Sequence, residues 1–299
     1  MLRIVANSIL ASEVAEFLDK ELHGENIVIY GPSTLDKITD HSMICLNNNE
    51  SLPEEICKKM EVLILSPRDL GPTAPASFIV TPEPEVDFVQ VINNYFARLV
   101  VHSIHPMAVI EQGAVVGRNV GIGAGSFIGP EVEIGDQTII FQNVAITGKV
   151  KIGNQCVIKA NSTIGSDIFD FVYTDNQWEQ FPQIGKILIG NNVWIGANTT
   201  IEKGSLSDTV IDNGVKIDDL VQIGSSSFIG QNSMIAAGAV ICREVKIGQK
   251  CWIAPNVSIL ERLKIGDYAT IGLGGVVIDD VTPSTVVAGN PAQIIKKKF

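Results

Sequence analysis

From Ile104 onward one residue in six is a branched aliphatic, and that beat limits what the chain can fold into more than any other feature. In steps of six it gives Ile104, Ile110, Val116, Ile122, Ile128, Ile134, Ile140, Ile146, Ile152, Ile158 and Ile164 without a miss. It resumes at Ile189, Ile195 and Ile201, slips once more, and then runs unbroken from Ile211 to Val277, 26 hexads in all. Neither the helical period of 3.6 nor the strand alternation of 2 accounts for a six-residue beat held this long, whereas hexads folded into a parallel β-helix do. Three hexads make a triangular coil of about 18 residues, so the aliphatics of successive coils stack into a ladder that fills a prism. The residue after the aliphatic is often glycine (Gly117, Gly123, Gly196 and Gly224 among them), and a residue free to take positive φ suits a sharp corner between short strands.

The first hundred residues lack the beat and read as a small α/β domain. Ser8–Leu22 carries apolar residues on one helical face, Val62–Leu65 and Phe78–Val80 are short buried-strand candidates, and Val86–Val101 is a second helix candidate beyond Pro82 and Pro84. The expected organisation is therefore mainly β: a small α/β domain over 1–100, a β-helix over 101–281 and a terminal cap over 282–299. Between Ile164 and Ile189 the chain takes 25 residues where a hexad takes six, so a loop over 165–186 leaves the prism. That loop holds Phe169, Phe171, Tyr173, Trp178 and Phe181. So aromatic an excursion would be a costly exposed patch unless it packs on a neighbour or a ligand.

Composition closes off several function classes. A net charge of −11 argues against nucleic acid or a broad anionic membrane surface as partner. No apolar run is long enough for a membrane span, and the first residues do not resemble a secretory signal, so the cytoplasm is the expected compartment. The five cysteines (Cys45, Cys57, Cys156, Cys242, Cys251) are scattered without CxxC spacing and read as reduced packing residues. The four histidines (His23, His41, His102, His105) all precede or open the first coil, which leaves no multi-histidine metal centre inside the solenoid and no metal among the expected cofactors.

Four segments carry a resemblance over nearly the whole length: SFIVTPEPEVDF, HPMAVI at the first coil, GSDIFDF followed by PQIGKILIGNNVWIGANTTIEKGSLSDTVI, and GVKIDDLVQIG. They resemble the UDP-3-O-acylglucosamine N-acyltransferases of lipid A synthesis, left-handed β-helix enzymes. The resemblance implies a homotrimer of parallel prisms, active sites in the clefts between neighbours, and a UDP-sugar held partly by the N-terminal domain.

The chain departs from that family in three places. Where the family's base histidine stands in the pattern QIAHN, this chain has Gln222, Ile223, Gly224, Ser225, Ser226, so Ser225 takes the position of the base. A second active-site histidine falls at Arg262, and the asparagine before that strand falls at Asp219. The family's uracil pocket aligns with Ile44, Asn47 and Glu50, which keeps the asparagine and lacks both stacking aromatics. The ending STVVAGNPAQIIKKK resembles that of the acetyl-CoA-dependent sugar acetyltransferases rather than the carrier-protein docking helices of the lipid enzymes. It implies acetyl-CoA as donor, with Ala288, Asn290 and Lys296 beside the coenzyme.

Serine cannot take a proton at neutral pH without a base of its own. A neutral sugar amine is already nucleophilic, so loss of the histidine is tolerable for N-transfer and damaging for O-transfer. The expected activity is acetyl transfer from acetyl-CoA to a nucleotide-linked amino sugar. Asp219 is the candidate for orienting the amine or taking its proton, and Gly224 or Gly238 the candidate backbone donor to the oxyanion. Asp167, Phe169, Phe171 and Trp178 are expected to wall the cleft, Asn47 to meet the nucleotide, and Arg262 and Lys264 to meet phosphate or pantetheine. A carrier-protein-dependent acyltransferase and a catalytically inactive binding trimer remain as alternatives.

Overall fold

The computed structural model describes residues 2–3, 7–52, 60–72, 74, 76–99 and 103–297; Cys57, Val101 and His102, named above, lie outside them. The chain divides into two compact units, Met1–Val100 and Val101–Phe299.

The N-terminal unit is built on a five-stranded sheet in the order Leu22–His23, Ser77–Val80, Val62–Ser66, Ser42–Cys45, Gly31–Pro32, parallel except for the first strand. Val62–Ser66 is buried throughout, as a strand covered on both faces must be. Helix α1 spans Ala11–Leu18, shorter than the Ser8–Leu22 expected, because Ile9 and Leu10 pair with Ile29 and Val28 instead. The Glu13 carboxylate accepts the Leu10 N–H at 2.7 Å and so caps the helix, and Asp19 ends it in the left-handed region at φ 54°. Helix α2 spans Pro84–Val91, with proline in the first turn where its missing N–H costs nothing; a π-helical turn over Ile92–Phe96 then leads to a strand at Arg98–Leu99.

The second unit is a parallel β-helix with three faces. The first runs from Val109–Ile110 to Val276–Val277 in nine strands, the second from Val115–Val116 to Lys264–Ile265 in eight, and the third from Gly121–Ile122 to the terminal strands in ten. Each aliphatic pairs with its counterpart in the next coil: Ile128 with Ile146, Ile201 with Ile223, Ile223 with Ile241. The ladder from Ile122 to Ile271 is almost wholly buried and forms one continuous cluster.

The corners differ from the expectation in one respect. Gly117, Gly123, Gly196 and Gly224 do not take positive φ; the left-handed residue sits later in the corner, and asparagine is its commonest side chain, as at Asn143, Asn192, Asn198 and Asn256. Those glycines are required by close approach instead. A Cβ on Gly224 would lie 2.6 Å from the Arg243 nitrogen and the Cys242 carbonyl carbon, and one on Gly196 would lie 2.2 Å from the carbonyl carbon of Asp218. Asparagine takes the turn because its short amide tolerates the left-handed region.

The residues expected to cap the prism continue it instead. Thr285–Ala288 adds to the third face beside Thr270–Ile271, and Gln293–Lys297 folds back on it antiparallel. Among the described residues no helix is long and apolar enough to cross a membrane.

Candidate active site

The 165–186 insertion leaves the first face after Thr163–Ser166 and returns at Ile187–Ile189. Gly165, at φ +100°, makes the exit, and a Cβ there would fall 1.9 Å from the Thr147 carbonyl oxygen. The insertion folds as a hairpin, Phe171–Thr174 against Gln177–Gln180. Its tip is Asp175-Asn176 with φ 48° and 62°, and two positive φ values give the turn the twist that matches the strands.

Two ion pairs pin the hairpin to the prism. Arg243 Nη1 meets Asp170 Oδ2 at 3.1 Å while its Nε donates to Glu261 Oε2 at 2.9 Å, and Lys203 Nζ meets Asp167 Oδ1 at 2.6 Å. The aromatics pair edge to face, Phe169 with Phe171 at 5.1 Å and Tyr173 with Trp178 at 5.2 Å. Phe169 is 90% exposed and Trp178 67% exposed.

Between the hairpin and the first face lies a cleft of about 720 Å³, with Phe169, Phe171 and Trp178 on one wall and Glu202, Gln222, Gly224, Cys242, Arg243 and Glu261 on the other. Glu202, only 9% exposed, is its buried carboxylate. One oxygen accepts the Gln222 amide N–H at 2.6 Å, the other the Ser225 backbone N–H at 3.0 Å. Burial pushes its pKa above the ordinary carboxylate range, and these two hydrogen bonds only partly oppose that. Ser166, opposite Glu202 in register, carries a buried hydroxyl oxygen with no hydrogen-bond partner. The Cys242 thiol is pushed up by burial and by Glu261 and Glu202, so it sits protonated at neutral pH and is a poor nucleophile.

Phe169, Phe171, Trp178 and Gly224 thus share one cleft, with Asp167 and Ser225 beside it. The Ser225 hydroxyl is buried and faces Ser205 Oγ at 3.3 Å and Ser226 Oγ at 3.4 Å. Arg262 lies on the same prism edge, bonded to Glu244 and Glu261, and Lys264 starts the second-face strand of that coil.

Asp219 sits on a different edge, between the third face and the first, where its carboxylate accepts the Ala197 N–H at 2.6 Å; the whole first-face strand separates it from Ser225. Gly238 shares the edge of Asp219. The N–H groups named as oxyanion donors are already committed to the ladder, Gly224 to the Ile241 carbonyl at 2.8 Å and Gly238 to the Asp219 carbonyl at 3.1 Å. Ala288, Asn290 and Lys296 belong to the terminal hairpin on the third face. In the N-terminal unit the Asn47 amide donates to Glu85 Oε1 at 2.8 Å, and its own N–H donates to Glu50.

Sequence reasoning missed Glu202, Gln222, Cys242, Arg243 and Glu261. Among the described residues no three His, Cys, Asp or Glu side chains converge in a way that could hold a metal ion.

Residues 131–166 match the bacterial transferase hexapeptide model (six repeats), and 221–261 match the hexapeptide repeat of succinyl-transferase. Among solved structures, the UDP-N-acetylglucosamine acyltransferase from Campylobacter jejuni superposes with a TM-score of 0.60 at 26% identity, over 65% of this chain and 75% of that one. The solenoid has the left-handed hexapeptide-repeat β-helix fold of that structure. LpxA from Acinetobacter baumannii shares this β-helix at a TM-score of 0.59 and 26% identity, over 65% and 74% of the two chains. A curated relative, UDP-3-O-acylglucosamine N-acyltransferase from Herminiimonas arsenicoxydans, is 35% identical over 151 residues, 50% of this chain. The match spans 43% of that relative's length.

Proposed function

We propose that this chain is an N-acetyltransferase that moves the acetyl group of acetyl-CoA onto the amino group of a nucleotide-linked amino sugar, with UDP as the nucleotide, on the way to a surface polysaccharide. It works as a homotrimer in which a neighbouring prism closes each cleft. The observation that carries this reading is the aromatic-walled cleft beside Gly224, which holds a buried carboxylate and no imidazole. An apolar wall suits a pantetheine arm and the face of a sugar ring, and a few fixed polar groups suit one reacting atom. Fixing the amine against the thioester between rigid elements contributes roughly 7 to 11 kcal/mol to the rate, so an amine needs little further help.

The relatives are UDP-sugar acyltransferases, which supports acyl transfer on a sugar nucleotide. The C-terminal residues support acetyl-CoA as donor. Lys296, exposed in the terminal hairpin, is the cation assigned to its phosphates. Turnover of acetyl-CoA by the purified chain, with a panel of UDP-amino sugars, is the test. Thiol release that depends on an amino sugar supports the reading. Transfer only from an acyl carrier protein would replace acetyl-CoA as donor, and ligand binding without any transfer would make the protein a binding trimer.

A further inference from the structure

We propose that Glu202 is the catalytic base of this cleft, the group that touches the acceptor amine and takes its proton. The inference rests on the amine-acetylation reading above and names the residue that reading leaves open. Glu202 is the carboxylate buried in the cleft wall, at the first-face strand whose next coil carries Gln222 and Gly224. An ionised carboxylate has about four lone-pair sites. The Gln222 amide and the Ser225 N–H occupy one on each oxygen, so each oxygen keeps a free site for a proton from the cleft.

The two bonds also fix the direction of the group, because the Ser225 N–H belongs to the β-helix backbone. No salt bridge reaches Glu202 among the described residues. The nearby guanidinium, Arg243, is held by Asp170 and Glu261 instead. The titratable groups around Glu202 are Cys242 and Arg243 two coils on, Glu261 from the coil beyond those, Asp170 from the hairpin and Lys203 next in the chain, the last paired with Asp167.

The step balances without a further reactant. The amine nitrogen bonds to the thioester carbonyl carbon, and the carbonyl electron pair moves onto oxygen. The N–H proton passes to the Glu202 carboxylate. When the oxygen electrons return, the C–S bond breaks, and the CoA thiolate takes the proton from Glu202, which is ionised again. A carboxyl with a raised pKa is a stronger base than an exposed one, closer to the working pH at which general bases act best.

The test compares wild type with Glu202→Gln on the UDP-amino sugar that wild type acetylates fastest. General-base loss is expected to lower kcat about 10²- to 10³-fold while KM changes less than about threefold. At low pH the wild-type log(kcat/KM) should rise with a slope near two, since both a neutral amine and an ionised Glu202 are needed; in Glu202→Gln the slope should be near one. A folded Glu202→Gln with unchanged slope and with kcat within about threefold of wild type overturns the proposal and leaves the acetylation reading standing. Wild type inactive on every amine removes both. Should Glu202→Gln not fold, Glu202→Asp serves: its carboxyl, one methylene back, is expected to lower kcat and move the acidic limb, and a profile superimposable on wild type overturns the proposal.

Discussion

Replacing Arg243 with alanine removes the clamp between the hairpin and the prism. The guanidinium spans Asp170 in the hairpin at 3.1 Å and Glu261 in the coil above at 2.9 Å, all three side chains being partly exposed. A partly exposed pair of this kind contributes about 0.5 to 1 kcal/mol, and since of the two only the Asp170 pair crosses from hairpin to prism, that is the docking energy lost. At about 1.4 kcal/mol per factor of ten, that is about a two- to fivefold change in the docked population. The hairpin does not leave altogether, because Lys203 still meets Asp167, and Ile184 N–H still donates to the Ser205 carbonyl at 2.8 Å.

The amides of Phe171–Gln180 should therefore exchange with deuterium about two- to fivefold faster in Arg243→Ala than in wild type at low salt. Exchange in the ladder strands should stay unchanged, since local opening is set by local contacts. The gap between the proteins should narrow as salt screens the wild-type pairs. KM for the amino sugar should rise about two- to fivefold, with kcat changed far less. Hairpin exchange within twofold of wild type would show that the ion pairs do not hold the hairpin, and the clamp argument would fail.

Two further outcomes follow from burial. Ile223→Ala empties a wholly buried rung between Ile201 and Ile241 and should cost about 3 to 5 kcal/mol in denaturant unfolding; a cost below about 1 kcal/mol would mean the prism collapses around the gap. The Cys45 thiol is pushed up to about 11 by burial and by Glu85 and Glu50, so its alkylation by iodoacetamide should rise about tenfold per pH unit from pH 8 towards 11. The unfolded thiol loses its proton first, so the same shift weakens the N-terminal unit as pH rises through that window. A plateau in alkylation near pH 9 would contradict both.

The prism was legible in residue order because its core is periodic: Ile128, Ile146 and Ile164 stack on the first face of successive coils at a fixed spacing. The aromatic loop was legible because a break in a strict beat must go somewhere. What stayed hidden depends on register across coils. Glu202 is one acid among many in the chain, and its burial appears only when the column behind the first-face aliphatics is lined up as Thr147, Ser166, Glu202, Gly224 and Cys242. Arg243 is equally ordinary until the hairpin folds back and brings Asp170 to it. Asp219 stands six residues before Ser225, but at six residues per face that spacing carries it round to the next prism edge. The α1 boundary was missed for a tertiary reason, since Ile9 and Leu10 gain more by pairing with Val28 and Ile29 than by extending the helix.

The most direct test is a crystal structure of the protein with coenzyme A and a UDP-amino sugar bound. The account predicts the coenzyme sulfur and the sugar nitrogen side by side in the cleft beneath Phe169 and Trp178, with the nitrogen within hydrogen-bond reach of Glu202. Coenzyme A bound along another prism edge, or a sugar nitrogen turned away from Glu202, would contradict it.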